Sequence, residues 1–97
     1  MFIVKRTKRN TSHITTRAVH IARYEHDNLS DAIEHMEQLR RADSARYSTL
    51  VSKYPWFFAD HDISKTSYHY TFGQCTISCE IIGVLEDAEK EVKYGII

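Results

Sequence analysis

Short apolar runs sit at both ends of the chain, and between them apolar residues recur every three or four positions. The first stretch, FIVKRTKRNTSHITTRAVHIARYEH, predicts two strands around a turn at residues 10–13. With Lys8 opposite Thr15 and Arg9 opposite Ile14, Phe2 meets Ile21, Val4 meets Val19 and Arg6 meets Arg17 on one face. The other face pairs Lys5 with Ala18 and Thr7 with Thr16. This register gathers Phe2, Val4, Val19 and Ile21 into one apolar surface, which a one-residue slip would scatter. A helix over residues 17–25 competes, because Ala18, Ile21, Ala22 and Glu25 also fall at helical spacing; the strand is adopted.

The segment NLSDAIEHMEQLRRA predicts a helix. Asn28 can cap it, with Asp31 three residues on returning toward the cap and suiting the positive helix start. Leu29, Ala32, Ile33, Met36 and Leu39 form an apolar stripe, while Glu34, Glu37, Gln38 and Arg41 face away, Glu37 and Arg41 at pairing distance. A second helical stretch, SARYSTLVSKY, places Tyr47, Leu50, Val51 and Tyr54 on a face. Asp43 falls in the apolar phase between them, which predicts a break near residues 43–44. Pro55 ends the helix, because it biases Tyr54 away from helical geometry.

In TSYHYTFGQCTISCEII, Gly73 and Gln74 suit a two-residue hairpin turn with glycine first. That turn sets the register: Phe72 faces Cys75, Tyr70 faces Ile77, Tyr68 faces Cys79, and Ile81 follows on the same side. The opposite face reads Thr71–Thr76, His69–Ser78 and Ser67–Glu80, all polar. In the tail VLEDAEKEVKYGII, Val92, Tyr94 and Ile96 alternate like a last strand after a turn at residues 87–90. Leu85, Ala88 and Val92 would equally make a short helix; the strand is slightly favoured. The expected fold is a single α+β domain over residues 1–97, an antiparallel four- or five-stranded sheet (ββα(α)ββ, with an optional last β) and helices packed on one face.

Composition removes several classes. With 97 residues, 42% apolar content, three glycines and one proline, the chain is neither linker nor low-complexity sequence. No apolar run approaches the ~20 residues of a membrane helix, and the opening MFIVKRTKR does not read as a signal peptide, so a cytoplasmic protein with reduced cysteines is expected. Net charge is zero but unevenly laid out. Residues 1–26 carry six basic groups against Glu25, a surplus of +5; residues 27–50 come to −2 (three basic, five acidic) and residues 51–97 to −3 (four basic, seven acidic). A positive end and a mildly negative remainder follow.

Candidate chemistry is sparse. Cys75 and Cys79 lie four residues apart on one strand, ~13 Å between Cα atoms. A disulfide needs ~7 Å or less, so the thiols read as core residues. Of the six histidines, His61 sits in the best local cluster, Asp60-His61-Asp62, but neighbours on a strand point oppositely. His35 lies one turn after Asp31, which predicts a surface contact between them. No paired CxxC or HExxH spacing occurs, and neither a metal nor a cofactor is expected. Asp60 or Asp62, Glu80 and the EVK at residues 91–93 imitate a metal-dependent nuclease layout, in a pattern short enough to arise by chance. No catalytic residue is assigned, and a non-enzyme is expected.

Two surfaces remain as partner-binding candidates. The basic hairpin, with Lys5, Arg6, Lys8, Arg9 and Arg17, could contact phosphates or an acidic protein, or could simply be a solvated strand face. In YPWFFADHD, Trp56, Phe57 and Phe58 run consecutively, so no single element buries all three. Core packing is expected to take Trp56 with Phe58, leaving a ring exposed as a contact.

The succession FIVKRT, AVHIARYEH, DNLSDAIEHMEQL resembles the strand–strand–helix opening of many small phage or mobile-element proteins, including anti-defence proteins of the anti-CRISPR type. The resemblance covers the first 40 residues, in layout. It implies a viral, non-enzymatic inhibitor that blocks a host defence protein or nucleoprotein complex by stoichiometric binding. The neutral charge and basic end argue against mimicry of DNA and suit an acidic partner. The alternative is a nucleic-acid-binding module using the basic hairpin, and a homodimer through an exposed sheet edge is a further option.

Overall fold

The cap written into residues 28–31 starts the one helix of the described chain. In the structure, a computed structural model describing residues 1–10, 18–85 and 90–93, Asn28 Oδ1 accepts the Asp31 backbone N–H at 2.9 Å. Asn28 Nδ2 donates back to Asp31 Oδ2 at 3.0 Å. Helix α1 then runs unbroken over Leu29–Lys53 and closes on Tyr54, whose N–H reaches Leu50 O at 2.8 Å just before Pro55.

The strands are β1 (Phe2–Asn10), β2 (Ala18–His26), β3 (Ala59–Ile63), β4 (Ser67–Phe72), β5 (Cys75–Leu85) and β6 (Lys90–Lys93). They form one antiparallel sheet in the order β2-β1-β5-β4-β3. Ile82 and Gly83 pair with both β1 and β6, so β6 extends the sheet on the same side of β5 as β4. The α+β architecture, with its antiparallel sheet and helix on one face, agrees with the hydrophobic pattern. Strand β3 adds to the expected layout, and the tail adopts the favoured strand over Lys90–Lys93; Tyr94 and Ile96 lie outside the described residues.

Helix α1 lies over β4, β1 and β5 and reaches β2. The core between them holds Ala32 and Met36 from the helix with Val4, Tyr68, Tyr70, Cys79 and Ile81 from the sheet. Met36, Val4 and Ile81 are fully buried, and truncating a side chain of that kind costs about 2–5 kcal/mol. The β4–β5 register is the one the Gly73 turn dictates: Phe72 opposite Cys75, Tyr70 opposite Ile77, Tyr68 opposite Cys79. Gly73 has φ +59, a left-handed conformation that only glycine adopts cheaply.

Three local expectations are overturned. First, α1 does not break at Asp43. This residue is buried because Arg6 and Tyr68 satisfy it: Arg6 Nε donates to Oδ2 at 3.0 Å, Arg6 Nη2 to Oδ1 at 2.6 Å, and Tyr68 Oη to Oδ2 at 2.6 Å. A carboxylate with three charge-matched or hydroxyl donors can occupy an apolar helix phase without bending the helix. Second, β1 and β2 pair in another register, with Phe2 opposite His26, Val4 opposite Tyr24 and Arg6 opposite Ala22. The shift is five residues, an odd number, so Val19 and Ile21 move to the face away from α1 and are exposed. Third, Glu37 bonds Arg40 at 2.7 Å rather than Arg41, one position nearer along the same helix surface.

Candidate functional site

The exposed aromatics sit where α1 hands over to β3. Phe57 N–H donates to Tyr54 O at 3.2 Å, and Gly73 N–H donates to Phe58 O at 2.7 Å. The three residues Trp56, Phe57 and Phe58 are thereby tied to the helix end on one side and to the β4–β5 turn on the other. All are exposed, at 73%, 49% and 67% respectively, which corrects the expectation that Trp56 and Phe58 pack into the core. The space beneath them is already taken. Phe57 stacks obliquely on Phe72 at 5.4 Å and meets Tyr54 edge-on at 5.9 Å, while Trp56 meets Tyr54 edge-on at 5.8 Å. A Cβ on Gly73 would come to 3.8 Å from the Phe57 ring, so the turn packs beside the aromatic cluster as well as setting the hairpin.

From Phe72 the cluster continues into a groove of about 190 Å³ between the C-terminal half of α1 and the sheet. Tyr47, Leu50, Phe72 and Ile77 supply apolar walls, and Lys8 and Arg46 supply two cations. Lys8 is therefore the member of the basic hairpin that the fold brings toward the aromatic loop.

The other hairpin cations go elsewhere. Arg6 is committed to Asp43, and that hydrogen-bonded carboxylate raises its pKa further still. Lys5 and Arg9 fall on the face away from α1, in register with Glu80 and Thr76. There Lys5 borders a polar cleft of about 310 Å³ whose lining mixes Lys5 and His69 with Glu80 and Asp62, and Arg9 lies farther along the same face beside Thr7, Thr76 and Ser78. Arg17 lies outside the described residues. The four described cations thus serve three different environments and make no continuous basic stripe.

Among the histidines, His26 Nε2 and His35 Nδ1 share a hydrogen bond of 2.7 Å, and the His35 ring meets Tyr24 edge-on at 4.7 Å. His35 therefore binds the end of β2 instead of Asp31, whose carboxylate is engaged by Asn28. Burial first, and then the neighbouring His26, push the His35 pKa below its ordinary value. In β3, Asp60 approaches His69 at 3.7 Å on the open face, while His61 stacks over Tyr70 on the helix side. Adjacent strand residues do point apart, and no group of three His, Cys, Asp or Glu side chains placed to hold a metal occurs among the described residues.

Cys75 and Cys79 are both free, Cys79 buried and Cys75 half-buried. Burial pushes the Cys79 thiol up to about 12, which leaves it protonated and unreactive at neutral pH. Sequence reasoning missed the Asp43–Arg6–Tyr68 cluster and Arg46. The signal for the first was present: Met36, Leu39, Asp43 and Tyr47 keep one helical phase, and a carboxylate inside such a phase asks for a cation on the facing strand. No described helix is long and apolar enough to cross a membrane. No family model, curated protein or solved structure matches this chain.

Proposed function

We propose that this chain is a non-enzymatic binding protein that acts by stoichiometric contact with a macromolecular partner, docking through its aromatic end. One observation carries the reading: three consecutive large aromatics stand exposed on a backbone held at both ends by hydrogen bonds. Large exposed apolar patches are uncommon on monomeric proteins, and pre-positioned tryptophan and phenylalanine rings are typical anchors of interfaces. The adjoining groove, with Lys8 and Arg46 among its walls, suits a partner surface that is acidic beside an apolar anchor.

The narrower reading is a phage-type inhibitor that blocks a host defence protein or nucleoprotein complex in the cytoplasm. It draws on the strand–strand–helix opening and on the basic end, which fits an acidic target better than it fits mimicry of DNA. The nucleic-acid reading ranks second, because Arg6 is spent on Asp43 and Lys5 faces Glu80 across the strand pair.

Affinity capture from the native host, followed by titration of the recovered partner, tests this. Trp56→Ala and Phe57→Ala should each weaken binding by about 2 kcal/mol or more, close to thirtyfold, with the fold intact. Lys5→Glu with Arg9→Glu should change it little. Full binding by both aromatic variants, or steep salt dependence abolished by the charge reversals, would transfer the interface to phosphate contacts on the open face.

A further inference from the structure

The two ends of the strand order β2-β1-β5-β4-β3 are finished differently. Edge strand β3 is five residues long, ADHDI, and two of the five are aspartates, the usual protection against pairing with another chain. Edge strand β2 is nine residues long, AVHIARYEH, with neither proline nor glycine. Its pairing with β1 runs residue for residue from Phe2–His26 to Asn10–Ala18, so no bulge twists it away. Its outer side meets no strand among the described residues. Three large apolar side chains on it are exposed: Val19 at 43%, Ile21 at 56% and Tyr24 at 39%. An edge this long, regular and apolar is a template for strand addition.

We propose that β2 is a self-association edge, pairing antiparallel with β2 of a second copy of this chain about a twofold axis through Ile21. A twofold axis normal to the sheet makes such an interface isologous and continues the sheet across both copies. Residues facing each other across it must point to the same side, so their numbers differ by an even amount. Few registers meet that condition near the middle of the strand. With His20 on the axis, two imidazoles face one another. With Ala22 on the axis, Val19 meets Glu25 and Ile21 meets Arg23, which separates the apolar groups.

With Ile21 on the axis, Ile21 meets Ile21 of the second copy, Val19 meets Arg23, His20 meets Ala22, and Ala18 meets Tyr24. Val19 and Ile21 of both copies then form one apolar strip on the face away from α1, and no like charges stand directly opposite. Within β2 itself the one arginine, Arg23, is matched by the one glutamate, Glu25, so the pairing edge carries balanced charge although the surrounding segment is basic. This surface is separate from the aromatic end, so both can be occupied at once.

Sedimentation velocity of the full chain from micromolar to millimolar concentration tests the proposal. The wild type should show a concentration-dependent monomer–dimer equilibrium. Ile21→Lys, placing two ammonium groups on the axis, should weaken it about tenfold or more, while Asp62→Asn on the opposite edge should leave it unchanged. Circular dichroism confirms the fold of each variant, which the exposure of Ile21 favours. Independently of the lysine variant, Ile21→Cys should cross-link into dimers under mild oxidation, because facing residues lie about 5 Å apart. Val19→Cys should not, since its two copies are separated by about 13 Å in this register. A wild-type chain that stays monomeric at millimolar concentration overturns the proposal, as does a dimer that survives Ile21→Lys. Cross-linking at Val19 in preference to Ile21 overturns the register.

Discussion

Hairpin β4–β5 turns through two residues, Gly73 and Gln74, whereas β1 and β2 are joined by the seven residues 11–17. In the first, a glycine at φ +59 leaves one register available, and that register sends Tyr68, Tyr70 and Cys79 into the core together. In the second, the described anchor of the pairing lies at the far ends of the strands. Only Asp27 and Asn28 separate β2 from α1, so His26 must lie beside the start of the helix, where its Nε2 meets His35. That constraint places Tyr24 against His35 and turns Val19 and Ile21 outward, although they are the more apolar pair. A hairpin whose turn is specified becomes core; a hairpin whose register is set by its far end is free to present apolar residues to solvent. The proposed self-association edge belongs to the second kind.

The strongest test of this contrast attacks the one cluster that ties both hairpins to the helix. Asp43 holds Arg6 of β1 and Tyr68 of β4 at once. Burial, and after it the bond to Asp43, raises the Tyr68 pKa, so the hydroxyl remains a donor throughout the accessible pH range. Asp43→Ala would strand a half-buried guanidinium and a buried hydroxyl, and should cost about 3 kcal/mol by urea denaturation. The triple variant Arg6→Met, Asp43→Leu and Tyr68→Phe should recover much of that loss, since apolar replacement of all three partners removes the desolvation cost together with the bonds. A single-variant cost below 1 kcal/mol would mean that the cluster is incidental and the two hairpins are held by apolar packing alone.

A smaller effect separates the hairpins directly. Gly73→Ala forces a Cβ into the left-handed region and should destabilise by about 1 kcal/mol. The nearest ring atom, at 3.8 Å, is an ordinary contact, so the cost is one of backbone conformation and not of space. Ile21→Thr on β2 serves as the counterpart and should stay within about 0.5 kcal/mol for the monomer. If the order reverses, with Ile21→Thr the costlier change, β2 is buried in the working form of the molecule. Repeating the measurement at low protein concentration would then separate self-association from intrachain packing.

What could be read from the chain follows the same division. The helix cap, the apolar stripe ending in Met36 and Leu39, the Pro55 stop and the Gly73 hairpin all rest on local rules, and each is present. Asp43 was legible only as an anomaly, because its resolution lies in Arg6, thirty-seven residues away. The β1–β2 register departs from the hydrophobic pattern because an edge strand needs only one modestly apolar side toward the helix. The aromatic run was legible as a surplus, three rings with no common face. Its exposure depends on Tyr54 and Phe72 occupying the space below, a tertiary fact that spacing does not carry. That Lys8 and Arg46 line one groove is a tertiary fact of the same kind.

The smallest expected effect asks whether the His26–His35 bond sets the β2 register. Burial and the neighbouring His26 favour neutral His35 in the folded chain, whereas the unfolded chain titrates near the ordinary value of 6.5. The unfolded state therefore binds more protons as pH falls through that value, and stability must decline there: it is fully present above pH 6.5 and erodes below it. Asp31 and Glu34 share the recess with the pair, and the His35 ring is only partly buried, which keeps the change modest. His35→Gln should flatten this part of the pH profile of the urea midpoint. It should also raise amide exchange along β2 while leaving β4 and β5 protected, because their register has its own anchor in Gly73. Equal loss of protection in both hairpins would show that they unfold as one unit, and the far-end account of the β2 register would fail.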